Sequence, residues 1–121
     1  MTQPQEIENI IFQFKKDYNN GKCSIIPRLI NQNTLRTLGW IEEEALSYLE
    51  SELKVEHYQS GPEPPHQKNG AIKSGSVWVF VMPIFSEKTN LTLEVYVKFN
   101  YCKDGTIFIS FHESEKKVGV F

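Results

Sequence analysis

The spacing of apolar residues changes at residue 54, and that change sets the class of fold. Before it, Ile7, Ile10, Ile11, Phe14 and Tyr18 recur at i, i+3, i+4, i+7 and i+11, which is one stripe of a helix over residues 5–18. Ile41, Ala45, Leu46, Leu49 and Leu53 mark a second main helix over residues 41–53. After it, apolar residues fall at every second position, the period of a strand with one buried face. Helices first and antiparallel strands second predict an α+β domain: N-terminal helices packed on one face of a four-stranded, mainly antiparallel C-terminal sheet. The 121 residues make a single domain, 1–121. A chain of that length buries roughly two-thirds of the surface it exposes when unfolded.

Local signals bound the elements. Pro4 suits a first helical turn, and Asn19-Asn20-Gly21 ends that helix. A short extended stretch, Lys22 to Ile26, stops at Pro27. Asn31 or Asn33 caps a short helix through Leu35 and Leu38, and Gly39 closes it. Strands are expected over 54–60, 76–85, 91–101 and 106–112. Residues 61–75, rich in Gly, Pro, Lys and Asn, read as a long loop, a length that within a domain is often functional. The tail from Ser114 to Phe121 carries no clear pattern.

Several classes are disfavoured. The longest apolar run, Val77 to Phe85, is nine residues interrupted by Pro83, and a membrane helix needs about 20. Residues 1–6 lack the pattern of a secretory leader, so a cytoplasmic protein without a membrane partner is expected. Cys23 and Cys102 lie far apart, and neither they nor the three histidines have ligand spacing. No metal and no cofactor are therefore expected. A net charge of −2 speaks against a strongly basic, sequence-blind nucleic-acid binder. The acidity is local, because residues 41–56 carry six Glu against one Lys. That segment reads as a solvated helix face, or as a docking surface for a basic partner.

The last two strands carry the chemistry. Leu91, Leu93, Val95, Val97, Phe99 and Tyr101 alternate with Thr92, Glu94, Tyr96, Lys98 and Asn100. Ile107, Ile109 and Phe111 alternate with Thr106, Phe108, Ser110 and His112. A two-residue loop at Asp104-Gly105 would join the apolar set of one strand to the polar set of the other. A three-residue loop, Lys103-Asp104-Gly105, keeps like with like and puts Gly105 at the left-handed position. Cys102 then faces Thr106, Asn100 faces Phe108, Lys98 faces Ser110 and Tyr96 faces His112. The open sheet face thus gathers Tyr96, Lys98, Ser110 and His112, with Glu94 one step along. Such a set can cleave RNA without a metal: histidine moves protons near neutral pH, lysine stabilises a phosphorane, and tyrosine donates a hydrogen bond or stacks on a base. The same face also suits an ordinary polar solvent surface.

An ordered string of short motifs sharpens the choice. Asn19-Asn20-Gly21-Lys22 is followed by Leu29-Ile30-Asn31-Gln32-Asn33-Thr34-Leu35 and Leu38-Gly39-Trp40. Then come Glu56-His57-Tyr58, Val77-Trp78-Val79, Val95-Tyr96-Val97-Lys98 and Ile109-Ser110-Phe111-His112-Glu113. In order and spacing, over roughly residues 10–113, this string resembles the MqsR-type toxins of bacterial toxin–antitoxin systems, ribonucleases with a RelE-like fold. The resemblance implies a metal-independent endoribonuclease (an mRNA interferase) that cleaves messenger RNA and is neutralised by a cognate antitoxin. Tyr96 and Lys98 match the tyrosine and lysine of the family's Val-Tyr-hydrophobic-Lys strand. Tyr58 matches a tyrosine on the first sheet strand. His112 stands where the family's Ser-Phe motif is followed by a basic residue, usually lysine. The catalytic set so implied is His112, Lys98, Tyr96 and Tyr58.

The chain departs from the family at Gln59, where the best-known form has lysine, and at Val79, where it has glutamine. These departures motivate an alternative, a non-catalytic relative that only binds a partner protein or RNA. A third reading is an inhibitor whose acidic helix covers a basic partner. Other residues carry less. His57 points away from Tyr58 and reads as structural. His66 and Glu63 lie in the loop within possible reach of a ligand. Trp78 and Phe80 share a core-facing side, and Ser110 lacks the surroundings of a nucleophile.

Overall fold

The computed structural model describes residues 2–65 and 74–114. The centre of the expected loop, with His66, and the tail beyond Ser114 lie outside the described residues. Three helices, α1 (Pro4–Asn19), α2 (Leu29–Leu38) and α3 (Glu42–Glu52), accompany five strands. These are β1 (Cys23–Ile25), β2 (Tyr58–Glu63), β3 (Ser76–Ser86), β4 (Leu91–Cys102) and β5 (Gly105–Glu113).

The expected α1 stripe is the buried one: Ile7, Ile10, Ile11 and Phe14 all turn inward. Glu6 closes its first turn by accepting the Gln3 N–H at 3.0 Å. Gly39 ends α2 in the left-handed conformation, φ 74°, and the Trp40 N–H returns to the Leu35 carbonyl at 2.9 Å. Glu44 performs the capping role at α3, accepting the Ile41 N–H at 2.9 Å, and pairs with Lys88 at 2.6 Å.

The helices meet the sheet through one core. Phe14 packs on Phe99 at 6.1 Å and edge-on to Phe108 at 5.2 Å, while Phe80 and Phe99 stack at 5.7 Å. Each such buried side chain contributes about 1.5–3 kcal/mol relative to exposure. Among the described residues no helix is long and apolar enough to cross a membrane.

The sheet differs from expectation in strand number. Its order is β1-β5-β4-β3-β2, with β1 parallel to β5 and the other pairs antiparallel. The expected four strands are joined by a fifth, the extended stretch before Pro27. Three residues show no period, so only its pairing with Thr106, Ile107 and Phe108 identifies it as a strand. The strand expected over 54–60 begins at Tyr58 instead. Residues Val55–His57 form a 3-10 turn in which His57 Nδ1 accepts the Lys54 N–H at 3.0 Å. Asn31 is not a cap. It lies inside α2, fully buried.

The hairpin reaches two of the four expected pairings, by another route; Cys102 does not face Thr106, and Asn100 does not face Phe108. Its loop is two residues, Lys103-Asp104, and Cys102 pairs with Gly105. Tyr101 faces Thr106, Asn100 faces Ile107 and Phe99 faces Phe108. A bulge at Ile109 then shifts the register by one, so Lys98 faces Ser110 and Tyr96 faces His112. Phe108 is consequently a core residue, fully buried, and not part of the open face. Gly105, φ 132°, belongs to the strand and not the loop. A Cβ there would collide with the Lys22 carbonyl, whose oxygen accepts the Thr106 N–H at 3.0 Å.

Candidate functional site

The site lies on the sheet face opposite the helices, along β4 and β5. Val95, Val97, Phe99, Phe108 and Phe111 turn to the core with no exposed surface. Strand alternation therefore sends Tyr96, Lys98, Ser110 and His112 to the other side. The Tyr96 and His112 rings stack, centroids 5.3 Å apart and planes 28° apart. His112 Nδ1 lies 3.1 Å from the Glu113 carbonyl oxygen. A carbonyl only accepts, so Nδ1 is the donor in this contact, and in the neutral tautomer with that proton the lone pair is on Nε2. Lys98 follows Tyr96 on the same face. Glu94 lies two residues to the other side of Tyr96, exposed.

One member escaped the sequence reading. Arg28, the residue before α2, donates from Nη1 to the Ile109 carbonyl and to Ser110 Oγ, both at 3.0 Å. Ser110, the partner of Lys98 in the ladder, is 4% exposed. Arg28 thus joins Lys98 on one cross-strand pair. The local signal was the Pro27-Arg28 step, where the extended stretch turns into a helix at the edge of β5. Only the bulge shows which strand residue that turn meets.

Side chains of α2 hold this edge in place. β1 stops at Ile25, and beyond it Asn31 continues the ladder. Its amide donates to the Ile109 carbonyl at 3.0 Å and the Ile26 carbonyl at 2.9 Å, and its carbonyl accepts the Phe111 N–H at 2.9 Å. Thr34 Oγ accepts the Glu113 N–H at 3.3 Å. The strand carrying Ser110 and His112 is therefore fixed on both sides.

Tyr58 does not join the other three. It pairs with Phe80, whose side chain is in the core, and contacts the Trp78 and Phe80 rings at 6.3 and 6.1 Å. It sits on the helix side of the sheet, and its hydroxyl donates to the Gly61 carbonyl. Trp78 and Phe80 are core residues, as expected. Gln59 falls at a bulge of β2, exposed, while Val79 is buried beside Lys98. Glu63 is exposed on β2, opposite Val77. His57 serves the turn before β2, and burial lowers its pKa.

The acidic helix is partly committed internally. Glu42 accepts the Ile25 N–H at 2.7 Å and Glu44 pairs with Lys88. Among the described residues no three His, Cys, Asp or Glu converge as a metal site. Comparison with protein-family models, with curated proteins and with solved structures returns no match for this chain.

Proposed function

We propose that this chain is a metal-independent endoribonuclease of the MqsR type, a RelE-like cytoplasmic toxin that cleaves messenger RNA and is neutralised by a cognate antitoxin. The observation that carries the reading is the stacked Tyr96–His112 pair beside Lys98, all three half-buried on the sheet face opposite the helices. His112 Nε2 takes the proton of a 2′-hydroxyl. The 2′-oxygen bonds to phosphorus, and the bond from phosphorus to the 5′-oxygen breaks. Lys98 neutralises the charge that develops on the non-bridging oxygens and gives a proton to the departing oxygen. The products are a 2′,3′-cyclic phosphate and a 5′-hydroxyl, and no metal is needed. Tyr96 orients the imidazole by stacking and offers its hydroxyl to the phosphate.

The experiment is direct. Purified protein is incubated with end-labelled RNA in excess chelator, alone and with ribosomes, beside Lys98→Ala and His112→Ala. Cyclic-phosphate ends that appear with wild type and fade in both variants are the expected result. Intact RNA throughout, together with unimpaired growth of cells expressing wild type, would sink it.

A second reading follows from the place of Tyr58. With that tyrosine on the far side of the sheet and Gln59 and Val79 where the family has lysine and glutamine, the chain would bind RNA or a partner protein without cutting. Binding that survives His112→Ala in the absence of any cleavage distinguishes this case.

A further inference from the structure

We infer that Arg28 and Ser110, with Lys98 shared between two phosphates, form a phosphodiester-binding subsite for single-stranded RNA, seating a backbone phosphate beside the one that reacts between Lys98 and His112. The inference rests on the ribonuclease reading for its substrate class, but its geometry stands apart from the cleavage chemistry.

Arg28 is anchored before any ligand arrives. Nη1 is held by the Ile109 carbonyl and Ser110 Oγ, while Nε and Nη2 have no protein partner among the described residues. A guanidinium fixed at one corner and open at the others presents a planar fork, the geometry that phosphate oxygens accept in pairs. Lys98 is the ladder partner of the same Ser110 on the neighbouring strand. Among the described residues neither cation has a carboxylate partner, and the ion pair found there is Lys88–Glu44. Arg28 on Ser110 and Lys98 on its ladder partner place two cations on one cross-strand pair, an arrangement that favours a bound anion. Arg28 also precedes the first turn of α2, whose leading N–H groups add positive potential.

The remaining charge on this face sets a direction. Glu94 lies beyond Tyr96, away from Arg28. The backbone phosphate is therefore drawn to the Arg28 end and repelled from the Glu94 end. His112, diagonal to Lys98, lies about 7–8 Å from it by strand geometry, which leaves the reacting phosphate between them and its neighbour on the Arg28 side.

The test separates binding from cutting. A fluorescent 2′-O-methyl oligonucleotide, which lacks the nucleophile, is titrated into wild type, Arg28→Gln and Arg28→Lys over a range of salt. Gln keeps a donor for Ile109 and Ser110 but removes the charge. Arg28→Gln should weaken binding at least tenfold at low salt and reduce the slope of log K against log salt by about 0.7, one phosphate's share on a single strand. Arg28→Lys should keep the slope and lose part of the affinity. Should Arg28→Gln melt early, Lys98→Gln, which leaves α2 untouched, must show the same loss of slope. Equal affinity and equal slope in the charge-removing variants would overturn the subsite. Displacement of the oligonucleotide by inorganic phosphate at equal concentration would overturn its assignment to a polymer. Cleavage of all-ribose RNA with unchanged KM in Arg28→Gln also defeats the subsite while leaving the nuclease intact. Wild-type binding that depends on Arg28 without any cleavage does the reverse.

Discussion

The side-chain carbonyl of Asn31 accepts the backbone N–H of Phe111 at 2.9 Å, in the place where a neighbouring strand would offer a peptide carbonyl. The same amide satisfies Ile26 and Ile109. One buried asparagine thus extends a three-residue strand and locks the segment that presents His112.

Asn31→Ala should be among the most destabilising polar substitutions in the chain. It removes three hydrogen bonds and leaves the Phe111 N–H without its partner, while the Ile26 carbonyl keeps the Arg28 N–H at 2.8 Å. A loss of about 2–4 kcal/mol is expected, read as a lower midpoint in chemical denaturation. A variant within about 0.5 kcal/mol of wild type would mean that water replaces the amide at no cost.

The stack of Tyr96 on His112 makes a graded prediction. His112→Gln should lower the cleavage rate by roughly 10²–10⁴, with binding of an uncleavable oligonucleotide unchanged. Tyr96→Phe keeps the ring and should stay within a few-fold of wild type if stacking is its main role. Tyr96→Ala loses the ring, worth about 0.5–1.5 kcal/mol, and should fall further. A Phe variant as damaged as the Ala variant would assign the role to the hydroxyl.

Cys23 should resist thiol reagents in the folded protein. Burial, then the nearby Asp17 carboxylate, pushes its pKa from 9.0 up to about 12. The thiolate fraction at mild pH falls roughly a thousandfold, and with it the alkylation rate. Mass spectrometry after brief labelling should find Cys23 unmodified in native protein and modified in denaturant. Rapid native labelling of Cys23 would contradict the packing of β1 against α1.

The pair of Glu44 and Lys88 gives a pH dependence with a definite sign. The Lys88 hydrogen bond, then the Ile41 N–H, lowers the Glu44 pKa below its ordinary value of 4.5. The folded chain therefore keeps this charge to lower pH than the unfolded chain. Its stabilising contribution is whole above the ordinary value and is lost as pH falls through the depressed one. Glu44→Gln should thus lower the melting temperature slightly at neutral pH, and the gap should close in acid. A gap that persists in strong acid would refute the assignment. The group is exposed, so the effect should also shrink in salt.

Both main helices and the last two strands were legible from period, because each spans several repeats of its apolar pattern, and β3 was legible as a continuous apolar run. The strand β1 was not, since Cys23-Ser24-Ile25 is shorter than one detectable repeat and owes its existence to β5. The hairpin shows how a correct pairing can come from a mistaken turn. Keeping like faces together forces Lys98 opposite Ser110 and Tyr96 opposite His112. That constraint is met here by a bulge at Ile109 after a two-residue loop, and Phe108 moves inward as a result. The side of the sheet taken by Tyr58 was not legible for a related reason. Its strand starts after a 3-10 turn, so alternation counted from residue 54 could not tell which side of the sheet it takes.

The sequence by itself determined the α+β class, the helix stripes, and the gathering of Tyr96, Lys98 and His112 on one face. All of these follow from local periodicity and from the cost of burying charge. Tertiary structure alone decided that Arg28 joins them, that Asn31 stands in for a strand, and that Tyr58 lies on the other side. Each of those outcomes depends on where two segments more than twenty residues apart come together, and side-chain spacing along the chain carries no record of that.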